Sequence, residues 1–420
     1  MNARMLLFFM PALALAGDVS GRWILHLKGF GEQFAVARID LKADGTKVTG
    51  TLNELTLDGT VDGDTVRLAA MRGTNPWGSF EGQLHGDTMN GKGKQGGDEF
   101  TWDANRAPAN TAPPKTHVFE PTQFHRVFSG SIAPVLHIQP GDTVKTTTVD
   151  AGGRDAKGVR RSMGGNPETG PFYVDGAMPG DTLVIRIDRL RLNRDTAGSG
   201  DRIVPSAVQP SYYRNAKFDD KFNAEWTLDR EKGVAMLAKP TDRLKNFRVQ
   251  LHPMLGCIGV APPQNQSFRS GWLGPWGGNM DYNGLREGTT VYLPVFQEGA
   301  LLFVGDGHAL EGDGELNGDA LETSMDVEFT VKLISGPGAQ WPRFENSEYL
   351  MASGIAGSLP EALQLATTEL ARWLEHDYKL SANESNVILG TSIRYDIAEV
   401  VDPLVHIVAK VNKSVLESLK

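Results

Sequence analysis

A β-rich α+β fold with a small all-β domain in front of it is what this 420-residue sequence predicts. Three observations carry that reading. Residues 18–106 are cut at short intervals by hairpin-type dipeptides: Asp44-Gly45, Asp62-Gly63, Gly86-Asp87 and Gly96-Gly97. Farther on, Val327, Phe329, Val331 and Leu333 alternate with Asp326, Glu328, Thr330 and Lys332, the period of a strand with one buried face. Helix signatures come only near the end, and strands first with helices last is the α+β order.

Taken in order, the chain opens with "MNARMLLFFMPALALA". Arg4, an apolar run from Met5 to Leu15 and the small residues Ala14 and Ala16 have the layout of a secretory signal peptide, residues 1–16, cut after Ala16. The run is too short for a spanning helix, which needs about 20 apolar residues. The expected mature protein is therefore exported, periplasmic or extracellular, and needs no membrane once cleaved. Residues 17–106, from "GRWILHLK" to "EFTWDANR", read as a meander closing into a small barrel or sandwich. Its role is open between a substrate-binding accessory and a packing module. Residues 107–121, "APANTAPPKTHVFEP" within the Pro/Ala/Thr-rich stretch, read as an extended linker. Residues 122–420 form a larger β-rich domain. In its tail Ser358 and Glu361 make a capping signature with Pro360 in the first turn, ahead of a stripe of Leu363, Ala366, Leu370 and Leu374. Ser381 and Glu384 repeat that signature for a second helix.

Composition removes several function classes. The net charge is −9 (Lys+Arg 42, Asp+Glu 51), and no basic run interleaves with aromatics, so nucleic acid is not an expected partner. Cys257 is the single cysteine, which excludes an intrachain disulfide even in an oxidising compartment.

Chemistry concentrates at "GDGHALEGDGE", residues 305–315. Asp306 and His308 stand two apart with a glycine between them, followed by Glu311, Asp313 and Glu315. Carboxylate plus imidazole suits Zn²⁺ or a similar ion, and carboxylates alone would suit Ca²⁺. An EF-hand reading fails, because the position needing a bidentate acid is Ser324 and no helix pattern precedes the loop. A solvated acidic loop is the plain alternative. In "QLHPMLGCIGVAPP" the glycines flanking Cys257 allow close backbone approach. Here Cys257 with His252 as base competes with an inert buried thiol. Asn279 and Asp281 occupy a glycine-rich turn, Asp150 follows a strand-like run, and Glu322 precedes the strand from Asp326.

Several long motifs in series, "NPETGPFYVDGAMPGDTLVIRI", "HPMLGCIGVAPP", "GGNMDYNGLREGTTVYLPVFQEGALLFVGDGHALEGDGE" and "ALETSM", occur in the order seen in the acetamidase/formamidase family. The tail from "EALQLATTELARWL" to "EVVDP" resembles that family's C-terminal segment, so the likeness spans about residues 122–410. The module at 17–106 is a departure from it. The resemblance implies a metal-dependent hydrolase acting on a small linear amide such as formamide or acetamide, and a homo-oligomer. Within it, Asp150, His252, Asp306 and His308 are the expected metal ligands, with Glu322 as a bridging or additional carboxylate. Glu315 is the expected general acid/base and Asn279 a contact to the carbonyl or oxyanion. The donor set leaves room for two ions, Zn²⁺ foremost, with Ca²⁺ open. Two other readings stay beside it: a hydrolase dependent on Cys257, and a non-catalytic exported binding protein with a structural metal.

Overall fold

A computed structural model describes residues 18–108, 112–264, 266–336 and 338–419. The signal-peptide reading of residues 1–16 lies outside the described residues. The chain separates into two compact units, dividing at residues 109–110.

In the first unit, eight strands form one closed barrel in sequential order. They are β1 (Gly21–Gly29), β2 (Glu32–Asp44), β3 (Lys47–Leu52), β4 (Leu55–Asp62), β5 (Thr65–Arg72), β6 (Asn75–His85), β7 (Thr88–Gln95) and β8 (Asp98–Arg106). Antiparallel pairing of β1 with β8 closes it. All four dipeptides singled out in the sequence fall at strand-to-strand turns, Asp44 and Asp62 as the last residues of β2 and β4, and Gly45, Gly63, Gly86 and Gly96 have φ between 56° and 64°, the conformation such tight turns ask of glycine. An eight-stranded barrel has an interior that side chains just fill. Here Trp23, Leu25, Val48, Phe80, Phe100 and Trp102 fill it, all buried.

The second unit packs two large sheets around one core. One sheet runs from the edge strand Val249–Gln250 through Glu322–Thr323, Leu302–His308 and Met254–Gly259 to Gly277–Asn279 and Leu273–Gly274. The other runs from Arg394–Glu399 through Val405–Asn412, Tyr349–Ala356, Thr290–Pro294, Thr182–Leu192 and Met325–Ile334 to Thr143–Thr147. Its far edge is Thr116–Val118, which pairs parallel to residues 143–145. Part of the stretch read as linker is therefore an edge strand of this unit. Buried Phe128, Phe172, Leu183, Ile185, Phe303 and Phe329 belong to the shared core. The strand Met325–Ile334 buries Val327, Phe329 and Val331, as the alternation requires.

Helix Leu359–Asp377 starts at Ser358, whose side chain accepts from the Glu361 N–H. Its buried stripe is Ala362, Ala366, Leu370, Trp373 and Leu374. Leu363, assigned to that stripe from sequence, is 41% exposed. Ala362 is buried instead, and the helix lies so close to the sheet that a Cβ on Gly354 would meet the Ala362 carbonyl. Ser381 and Glu384 form a complete capping box on helix Ala382–Ser392.

Candidate metal centre

Strand Leu302–His308 is buried along its whole length and ends at the histidine. His308 lies opposite Glu322 across an antiparallel pair. Residues paired this way share a face, with Cβ atoms about 5 Å apart, and the Glu322 carboxylate comes 3.2 Å from His308 Nε2. On the other side Met254 pairs with His308 and Cys257 with Gly305, while the intervening position, Gly256 against Asp306, drops out of the ladder. Asp306 sits there at φ 53°. That conformation turns its carboxylate to 3.6 Å from His308 Nε2.

The Gly256 carbonyl accepts from the N–H groups of Met280 and Asp281, which docks the glycine-rich turn onto the strand. Asp281, at φ 37°, places Oδ1 3.9 Å from His308 Nε2. Gly256 itself cannot be replaced without intrusion. A Cβ there would lie 2.7 Å from His308 Cε1 and 2.9 Å from Asp306 Oδ2. Glu315 is a third acid in the left-handed region, at φ 45°. Non-glycine residues in that region cost of order 1–3 kcal/mol each and gather at functional sites.

Loop 309–321 folds back on itself through Ala309 N–H to the Leu321 carbonyl. Its Glu311 returns to accept from His308 Nδ1 at 2.9 Å. That bond points an Nδ1 proton at Glu311 and turns Nε2 towards Asp281, Asp306 and Glu322. The second sheet holds the arrangement from behind. Gly314 pairs with Glu399, its N–H reaching the Ala398 carbonyl. His406 Nδ1 donates to the Met280 carbonyl at 2.7 Å and its Nε2 meets Ser353 Oγ at 2.9 Å. Burial pushes the His406 pKa down to about 4, so it serves as a neutral strut.

The donors form two overlapping groups, Asp281–His308–Glu311 and Asp306–His308–Glu322, each with ligand atoms within 4.8 Å of one another. Asp281 Oδ1, Asp306 Oδ1, His308 Nε2, Glu311 Oε1 and Glu322 Oε2 are buried with no hydrogen-bond partner. Buried polar atoms left without partners within such a donor cluster are what a bound cation satisfies. Burial, and then neighbouring charge, raises the acids: Glu315 to about 10 and Glu311 and Glu322 to about 7. Asp281 is raised by burial and by Glu315. Burial opposes the His308 proton, but Glu322 and Asp306 outweigh it and the net shift is upward.

Of the expected ligands, the structure thus brings together Asp306, His308 and Glu322. It does not bring Asp150 or His252 with them. Asp150 is buried, but Oδ2 binds Arg194 at 2.7 Å and Oδ1 accepts from the Arg154 N–H. Both oxygens are occupied. Arg194 also reaches the Glu322 carbonyl, so Asp150 braces that strand. His252 is exposed and lines a separate depression with Arg189, Arg191, Arg230 and Arg286. Asn279 has its amide fully engaged: Nδ2 donates to Asp281 and to Asp402 at 2.8 Å, and Oδ1 accepts from Asn166. It positions two carboxylates and offers no free group to a carbonyl.

Cys257 is fully buried, donates weakly to the Ser270 carbonyl, and has its thiol pKa raised well above the ordinary value by burial and Glu168. A thiolate nucleophile needs the opposite environment, and the inert-thiol reading is the one that fits. Reading the sequence missed Asn166, which donates to Asp306 Oδ2 at 2.9 Å. It also missed Glu168, fully buried with neither oxygen bonded and held protonated by burial and Asp306.

The acetamidase/formamidase family model matches residues 275–374. An acetamidase of Mycolicibacterium smegmatis is 43% identical over 61 residues, 14% of this chain and 15% of that protein. The matched segments span 23% or less of the curated relatives' own length. Among solved structures, an acetamidase from Bacillus halodurans superposes with TM-score 0.59 at 26% identity, covering 72% of this chain and 99% of that one. An acetamidase from Yersinia enterocolitica gives TM-score 0.62 at 27% identity, covering 75% and 96%.

Proposed function

We propose that the second unit is a member of the acetamidase/formamidase family, and that the protein hydrolyses the C–N bond of a linear amide to a carboxylic acid and ammonia, using a divalent metal. The observation that supports metal dependence is the buried donor cluster at His308, several of whose polar atoms have no hydrogen-bond partner. Asp281, Asp306, His308 and Glu322 would hold the ion. Imidazole with carboxylates suits Zn²⁺. When bound, such an ion polarises a carbonyl and lowers the pKa of water to roughly 7.

The remaining work falls to the chain. Glu311 fixes the imidazole tautomer. Asn166 and Asn279 hold the Asp306 and Asp281 carboxylates in place. Glu315, which burial keeps protonated, supplies the proton that an amide nitrogen must gain to depart and retrieves one from the attacking water. Burial of Asp281, Asp306, His308 and Glu311 keeps these side chains out of bulk water, which strengthens each of these interactions.

The test is ammonia release from formamide and acetamide by purified residues 17–420, with bound metal assayed and with chelator added and withdrawn. Turnover that survives complete removal of metal would refute the metal-dependent reading. Absence of turnover on every linear amide, with metal bound, would refute the amidase. Export after cleavage behind Ala16 is a separate proposal, tested by sequencing the N-terminus of the protein recovered outside the cytoplasm.

A further inference from the structure

The loop that carries Glu311 and Glu315 has a second face. It lines a cavity of about 320 Å³ whose wall is apolar: Trp226 from strand Glu225–Asp229, Phe247, Leu310 and Leu316. Phe247 and Leu316 are 45% and 41% exposed, so apolar surface is left uncovered around a concave site. Trp226 is held in orientation by its Nε1–H, which donates to Ser199 Oγ at 3.0 Å, and its ring lies 6.3 Å from that of Phe247. Glu311, bonded to His308 through one oxygen, and Glu315 both belong to this lining.

Size and charge restrict the occupant. A water molecule's share of liquid volume is about 30 Å³, so the cavity has room for about ten. An acetamide-sized molecule would leave most of the apolar wall wet, whereas a ring-bearing group would cover it. The charged lining residues are Glu311, Asp313, Glu315 and Asp319, with no Lys or Arg. An anionic group would find no cation to pair with in this lining.

We propose that this cavity is an acyl-binding pocket, and that the preferred substrates are uncharged primary amides with an apolar, ring-sized acyl group. The inference rests on the amidase reading for its chemistry and on the cavity for its specificity. The ring occupies the wall formed by Trp226 and Phe247, and the amide end points to Glu315. Hydrolysis of phenylacetamide then breaks the C–N bond, adds water across it, and yields phenylacetic acid and ammonia.

The experiment compares kcat/KM for phenylacetamide and acetamide on the full chain, with Trp226→Ala, Trp226→Phe and Phe247→Ala. Phenylacetamide is expected to lead by about tenfold or more, since apolar pockets discriminate on that scale per group. Trp226→Ala and Phe247→Ala should each collapse the ratio through KM, with Trp226→Phe restoring part of it. Phe247 is at the surface, so its variant reports even where Trp226→Ala fails to fold. A ratio favouring acetamide and unmoved by either alanine variant overturns the inference while leaving the amidase standing. Calorimetric titration with phenylacetamide separates the two readings when no amide is turned over. Binding weakened by Phe247→Ala keeps the pocket and removes the amidase, and no binding removes the pocket.

Discussion

Gly256→Ala puts one methyl group into the middle of the donor set. Its Cβ would lie 2.7 Å from His308 Cε1 and 2.9 Å from Asp306 Oδ2, with Asp281 Oδ1 in contact as well. Carbon contacts relax to about 3.5–4.0 Å, so the imidazole must retreat by about 1 Å. The fold tolerates an extra methyl in a packed region at a cost of about 1–3 kcal/mol. Chemistry tolerates it less, because a misplacement of about 1 Å can lower turnover by about 100-fold. The variant is therefore expected to stay folded, to hold metal weakly and to lose amide turnover by about two orders of magnitude. Metal stoichiometry after dialysis, thermal unfolding and ammonia release measure the three effects. Gly390→Ala is the control, since nothing lies within 4 Å of its Cβ and a helical Gly-to-Ala change there should stabilise by about 0.5–1 kcal/mol. A Gly256→Ala protein that binds metal and turns over amide like the parent would refute the convergence on His308.

Other expectations follow from the same geometry. Glu315, Glu311 and Glu322 have pKa values raised to about 10, 7 and 7 from an ordinary 4.5. A pKa raised on folding contributes stability that is complete below about pH 4.5 and is lost as pH climbs through the folded value. Metal-free protein should thus lose Tm steadily between about pH 5 and pH 10, and saturating Zn²⁺ should offset the loss because metal takes the deprotonated ligands. A chelated sample whose Tm rises across that window would contradict the assignment. Cys257→Ala should keep amide turnover and cost about 1 kcal/mol of stability, and loss of turnover with metal still bound would revive the thiol. Glu369→Ala should cost about 3–5 kcal/mol in urea unfolding, because it strands the buried Arg343 guanidinium that Glu369 holds at 2.7 Å; an unchanged midpoint would refute that pairing.

The barrel was the most legible part of the chain because its signals are local. A glycine two residues from a strand end announces its own turn, and the four dipeptides did so without reference to anything distant. The metal cluster was legible only in part, for the opposite reason. Asp306 and His308 share a strand and could be paired from sequence. Glu322 is 14 positions from His308 yet sits beside it by strand register. Asp150 and His252 had the right chemistry, and nothing local shows that Arg194 occupies one while solvent takes the other. Asn166 and Glu168 carried no signal because their partners, Asp306 and the space beside Gly305, are more than 130 residues away. Leu363 failed because the helix buries Ala362 beside it and leaves Leu363 exposed, an orientation set by the sheet on which the helix packs.

The anchoring of the histidine loop by the last strands sets an order of assembly. Gly314 is tied to Ala398, Met280 to His406 and Asn279 to Asp402, spans of roughly a hundred residues that close late during synthesis. A nascent chain that has emerged only as far as residue 390 already contains every candidate ligand and none of these three anchors. The site is finished only when residues 398–406 join it, so that stretch must be made before the pocket can take its shape.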